Sequence, residues 1–223
     1  MTDRTDGGRS NSIRSMSSRV TGNRVRKAPA ERRAEIVEAA ARLALTEGLE
    51  CITLRRVADM LAIRNSTVGH YFPATEDLVA ETFGHVAETE LSTLISADNE
   101  ATPTQRLAHF LSLALSAEFH DVNRLWLNAR HLARYRPTLR ERVIRQGDHW
   151  RERLTSLIQS GIDTDEFHTT DAEAVALKIL VVIDGLSADL NADPRFPTTV
   201  QQMAVDLAET ELHLAPGTLR HTP

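Results

Sequence analysis

The sequence predicts an all-α protein, and three observations predict it. From Pro29 onward the apolar residues recur at three- and four-residue spacing almost without a break. No segment alternates apolar and polar residues as a half-buried strand would. Gly48, Pro73, Pro103, Pro137 and Gly161 fall between the periodic segments, where helices stop or start. The reading is of about nine helices. Residues 1–27 form a flexible basic arm, 28–78 a small helical head, 79–215 a larger helical body, and 216–223 a tail.

The arm carries Arg4, Arg9, Arg14, Arg19, Arg24, Arg26 and Lys27 against Asp3 and Asp6, a net +5 in a chain whose formal charge is −5. A basic end on an acidic remainder suits contact with phosphates, and equally suits a solvated tail. The chain has 223 residues, 41% of them apolar, enough to bury a core. The lone cysteine, Cys51, excludes an internal disulfide framework and fits a reducing cytoplasm. No apolar run approaches the length of a membrane span.

The first helix is expected from Ala30 to Glu47, because Ile36, Ala40, Leu43 and Ala44 share a face. Gly48 stops it. Thr53 caps a short helix that turns Leu54, Val57, Ala58 and Leu61 inward and Arg55, Arg56 and Asp59 outward. Ala62, Ile63 and Arg64 make a break, and a second short helix runs from Asn65 to Tyr71. A longer helix follows from Thr75 to Ser96. Beyond Pro103, one stripe comprises Leu107, Phe110, Leu111, Ala114 and Leu115, and another Leu125, Trp126, Ala129 and Leu132. Leu139, Val143, Gln146, Trp150, Leu154, Leu157 and Ile158 line a long helix closed by Gly161. Residues 162–169 read as a loop. Thr170 and Glu173 read as a capping box opening a helix to Leu190, and a last helix is expected from Thr198 to Leu214.

Two helices of about eight residues joined by a three-residue turn make a helix-turn-helix, whose second helix enters the major groove of DNA. Ile63, Val68 and Phe72 are expected to lock it to the first helix. Arg55, Arg64, Asn65, Ser66, Thr67, Gly69, His70, Tyr71 and Thr75 are the candidate DNA-facing residues, mostly short and polar, able to reach base edges and phosphates.

This stretch resembles the TetR family of bacterial regulators. The resemblance rests on AEIVEAAARLALTEG, then Thr53-Leu54, Val57-Ala58, Ser66-Thr67-Val68, Tyr71-Phe72, Pro73-Ala74 and Glu76-Asp77-Leu78. It implies a DNA-binding head, a homodimer, and a body that binds a small-molecule effector and so releases double-stranded operator DNA. The sequence departs from the family's habits at four places. Ala62 stands where Gly is usual, Arg64 where Ser or Thr is, Gly69 where an aromatic residue is, and Thr75 where Lys is. The last two departures remove side chains that commonly touch phosphates. The body is similar to the choline–betaine sub-group, in LWLNARHLARYRPTLRERV, WRERLTSLIQSGIDTDEF and ILVVIDGL. That similarity implies architecture without naming the effector.

His109, Phe110, Trp126, Arg130, His131, Gln146 and Trp150 bring aromatic surface and polar tips to the middle helices, and they are the candidate pocket residues, of which only some are expected to line it. The helix from Ala172 to Leu190 is apolar nearly all round, so it needs cover on both sides. The family places a four-helix dimer interface there, which makes Val175, Ile179, Val182, Ile183, Leu186, Met203 and Leu207 the candidate seam. Asp184, inside that helix, reads as a hydrogen-bonded carboxylate rather than a pocket residue. Nine histidines show no metal-ligand spacing, and neither a nucleophile elbow nor a phosphate loop occurs, so no metal, cofactor or catalysis is expected. Two alternatives stay open: a relative that has lost DNA binding and acts through protein contacts, and a helical enzyme or metal-binding bundle.

Overall fold

The computed structural model describes residues 28–95, 101–114, 116–192, 195 and 197–220. The basic arm, Ser96 and Leu115 lie outside the described residues. Ten α-helices and no strand occur among the described residues. In the head, α1 spans Pro29–Glu47, α2 Leu54–Met60 and α3 Asn65–Tyr71. Helix α4, Thr75–Leu94, leads into the body of α5 Pro103–Ala114, α6 His120–Leu132, α7 Pro137–Asp163, α8 Ala172–Ala192, α9 Thr198–Gln201 and α10 Met203–Glu211.

Pro29 opens α1, where a missing N–H costs nothing. Its stripe of Ile36, Ala40, Leu43 and Ala44 is buried, together with Val57 and Ala58 of α2, Val68 of α3, and Phe72. Thr53 caps α2 by accepting from the Arg56 N–H at 3.1 Å. Ala62 in the turn has φ +51°, a left-handed conformation that glycine adopts without strain. Helix α4 packs on α1 and on α7, so one element belongs to the cores of both head and body.

Several elements differ in detail from expectation. Helix α7 runs past Gly161 to Asp163, because Gly161 has a packing role. A Cβ there would lie 2.1 Å from the Phe167 ring, which is fully buried in the segment read as a loop. The cap of α8 is Asp171 rather than Thr170: its Oδ1 accepts from the Ala174 N–H at 2.9 Å. The last helix divides at Gln202 into α9 and α10, and α10 ends at Glu211. Past Leu214 the chain turns back, since buried Glu209 accepts from the N–H groups of Gly217 and Leu219 at 2.9 and 2.8 Å. Leu219 is thereby packed into the core.

The expected seam needs the largest correction. Val175, Ile179, Ile183 and Leu186 are buried within the protomer, on the side of α8 that packs against its own α6, α7 and α10. Leu177 and Val181 of α8 are 49% and 59% accessible, and both border a cavity in the body. Val182 is half-buried, and on α10 Met203 is exposed and Leu207 half-buried.

Candidate functional site

Helix α3 is held by one face only. Val68 of α3 is fully buried against the head, while Asn65, Ser66 and His70 on α3, Arg64 before it and Arg55 on α2 are exposed. Thr67, Gly69, Tyr71 and Thr75 are half-buried at the edge of that surface. Arg55 makes a loose 3.9 Å pair with Asp59. A Cβ on Gly69 would meet nothing within 4 Å, so the space beside α3 is open. Behind it, the Arg33 guanidinium lies 4.2 Å above the Phe72 ring, pairs with Glu81 of α4 and donates to the Tyr71 carbonyl. The end of α3 is thus tied to both α1 and α4.

A cavity of about 300 Å³ lies in the body between α4, α5, α6, α7 and α8. Its walls include Phe110, Trp126 and Trp150, whose rings are nine-tenths or more buried. Phe110 and Trp150 stand 5.9 Å apart, centroid to centroid. Glu90 of α4 enters the cavity 94% buried, and its Oε2 accepts from the Trp126 indole N–H at 2.7 Å. Burial pushes the Glu90 carboxyl up to about 7; the Trp126 hydrogen bond and the Arg130 charge pull it down, and the Asp184 charge pushes it up. Arg130 bonds Asp184 at 2.8 Å and sits 5.3 Å from the Trp126 ring centre. Arg151 bonds Asp148 at 2.8 Å on the same wall. Glu90 makes no ion pair among the described residues. The Trp150 Nε1 and Ser187 Oγ atoms are buried at the cavity without a hydrogen-bond partner among the described residues.

Four of the seven sequence-derived pocket candidates meet here: Phe110, Trp126, Arg130 and Trp150. The other three do not. His109 is exposed on the outer side of α5, and His131 is exposed with its ring edge-on to Tyr135. Gln146 is buried on the side of α7 that faces α1 and α4. Asp184 both lines the cavity and is hydrogen-bonded, so its two readings were not exclusive. Sequence reasoning missed Glu90. The available signal was its register: it follows Phe83 by seven residues and precedes Leu94 by four, on the buried stripe of α4. Among the described residues, no group of three or more potential ligands could hold a metal ion. No helix among them is long and apolar enough to cross a membrane.

The family model for the BetI-type transcriptional repressor C-terminal domain matches residues 103–213. A TetR transcription regulator from Haloarcula marismortui superposes with a TM-score of 0.71 at 26% identity, over 82% of this chain and 99% of that one. The chain belongs to the TetR family of transcriptional regulators. A TetR-family regulator from Rhodococcus sp. matches at TM-score 0.72 and 17% identity, covering 82% and 99% of the two chains. A transcriptional regulator from Saccharomonospora viridis in complex with choline matches at TM-score 0.66 and 22% identity, covering 81% and 96%. No curated protein matches the chain. As a ligand-responsive transcriptional regulator of the TetR family, this chain has its family match over the body, and its helix-turn-helix lies before that match.

Proposed function

We propose that this TetR-family regulator is a homodimeric, non-catalytic cytoplasmic repressor that leaves its operator when a small organic cation fills the body cavity. The observation that carries the effector half is the buried Glu90 carboxyl group among three aromatic rings, with no ion-pair partner among the described residues. The other cavity carboxylates, Asp184 and Asp148, are paired with Arg130 and Arg151. Aromatic faces and an unpaired carboxylate attract a cation, and the choline-bound relative supports that ligand class. The unpartnered Trp150 and Ser187 groups ask for a ligand oxygen as well.

The DNA half rests on the free polar face of α3. Arg55, Arg64, Asn65, Ser66, Thr67, His70 and Tyr71 are the proposed contacts, with Thr75 and the backbone at Gly69 beside the phosphates. The dimer seam is proposed on the accessible apolar residues Leu177, Val181, Val182, Met203 and Leu207, the first two of which also border the cavity. The test is to select DNA from a random pool with the full chain, then add choline. Selection of a two-fold symmetric site that choline releases supports the reading. Failure to enrich any sequence defeats the DNA half, and unchanged tryptophan fluorescence at high choline defeats the effector half.

A further inference from the structure

Helix α6 has two working sides. Trp126 and Arg130, four residues apart, face the cavity. Arg124 and Asn128, also four apart, lie on nearly the opposite side of the same helix, at 100° per residue. That side grips the head at the end of α1. Asn128 Oδ1 accepts from the Leu49 N–H at 2.9 Å, and its Nδ2 donates to the Glu50 carboxylate at 2.8 Å. The Arg124 guanidinium donates to the Leu45 carbonyl at 2.8 Å, one of the last carbonyls of α1, which have no partner within the helix.

The gripped turn is itself joined to the DNA-reading unit. Arg56 of α2 bonds Glu47 at 2.7 Å and donates to the Cys51 carbonyl. Gly48, with φ +101°, lets the turn form; a Cβ there would lie 2.7 Å from the Glu50 carboxylate that Asn128 holds. A continuous set of bonded contacts therefore runs from the Trp126 wall through α6 to the turn 48–51, then to α2 and α3.

We propose that Asn128 is a positioning residue that carries occupancy of the cavity to the head, so that α6, alongside α4, sets the angle at which α3 is presented. A ligand that displaces the Trp126 wall moves Asn128 with it, because a helix shifts as a rigid body against well-packed neighbours. The two hydrogen bonds then either drag the turn or break, and each outcome changes the free energy of the DNA-binding arrangement. The proposal rests on the cavity being the effector site.

The test compares wild type with Asn128→Leu, which removes both bonds, using the full chain and its selected operator. Choline is the probe; its binding off DNA is read from the fluorescence of the two tryptophans, both in the cavity wall. The expected result is a choline affinity within about threefold of wild type, with the choline-induced loss of operator affinity reduced about tenfold or more. Full coupling in Asn128→Leu overturns the proposal. A second arm needs no ligand. A side chain at Gly147, which lines the cavity and has nothing within 4 Å of its Cβ position, fills the space directly. Gly147→Phe is expected to weaken operator binding about tenfold in wild type and less than about threefold in Asn128→Leu. Equal weakening in both, or none in either, overturns the proposal. If choline leaves wild-type fluorescence unchanged, the ligand class fails and the Gly147 arm still decides the role of Asn128. Thermal unfolding of each variant confirms that folded proteins are compared.

Discussion

The Trp126 indole N–H bonds the Glu90 carboxylate at 2.7 Å, joining α6 to α4 across the wall of the cavity. Glu90 is held near neutrality chiefly by its burial, opposed by the Trp126 hydrogen bond and the Arg130 charge and helped by the Asp184 charge. Its position makes it a group through which pH reaches both ligand binding and stability.

The sign follows from the direction of that shift. A bound cation favours the ionised carboxylate, so it expels the proton that Glu90 carries below about pH 7. Affinity for choline should therefore rise about tenfold between pH 6 and pH 8. In the ligand-free protein the folded-state pKa lies above its unfolded value. Glu90 thus contributes stability at low pH that is lost as pH rises through about 7, a loss of about 1.4 kcal/mol between pH 6 and 8. Glu90→Gln should flatten both dependences. Isothermal titration in two buffers of different ionisation enthalpy checks the proton release; a pH-independent affinity in wild type would remove Glu90 from the ligand's contacts.

The head was legible from sequence because each local signal agreed. A Thr cap, an inward stripe at Val57 and Ala58, a short break and a buried Val68 all demand the same corner. The seam was not legible in that way. Helix α8 is apolar all round, so its composition cannot say which side meets its own domain. The longer stripe of Val175, Ile179, Ile183 and Leu186 serves the core, leaving Leu177 and Val181 exposed at the cavity border and Val182 half-buried. The cavity was half legible. Aromatic residues with polar tips were found, but His109 and His131 each stand one residue from a wall residue, on the exposed side of their helices, and periodicity cannot place a residue at a cavity that five helices build together. Glu90 sits in a polar-looking stretch, TELST, and only its register with Phe83 and Leu94 marks it as inward.

Two substitutions on α8 should separate seam from core. Val181→Asp places a charge on an exposed site at the cavity border, costs little in the ligand-free monomer, and should disrupt a seam built on Leu177, Val181, Val182, Met203 and Leu207. Ile183→Asp buries that charge in the protomer core and should unfold it, at a cost of several kcal/mol. Sedimentation with circular dichroism checks both: a folded monomer is expected from the first and loss of helix from the second. A stable Val181→Asp dimer places the interface elsewhere.

Gly161→Ala tests the packing under the loop after α7. The new methyl would occupy space that the Phe167 ring fills at 2.1 Å, so the ring must leave its buried seat or α7 must shift. The expected loss is about 1–3 kcal/mol, read by denaturant titration. The double variant Gly161→Ala, Phe167→Leu should recover part of it, because the smaller side chain makes room. No loss in the single variant would mean that the loop repacks freely.

Gly69→Tyr asks what the recognition helix does at its barest point. Among the described residues outside α3's own backbone, nothing lies within 4 Å of a Cβ there, so the first carbon of a side chain at residue 69 meets no clash, and the interior of α3 gains about 1 kcal/mol or less of helix propensity over glycine. Any change in DNA affinity therefore reports on DNA. Two physical accounts compete. In one, the backbone at Gly69 approaches the phosphates closely, and a ring between them costs affinity on the selected operator by about tenfold or more. In the other, the glycine has simply given up a contact, and a tyrosine hydroxyl restores it. Affinity then rises or holds on all sequences alike, because phosphate contacts carry no base information. The second is the expected outcome, since Thr75, at the start of α4 beside α3, also lacks the charge that a phosphate contact would use. Titrations on the selected operator and on unrelated DNA, at one salt concentration, distinguish them. A fall confined to the selected operator, with unrelated DNA bound as before, would show that Gly69 is there for close approach.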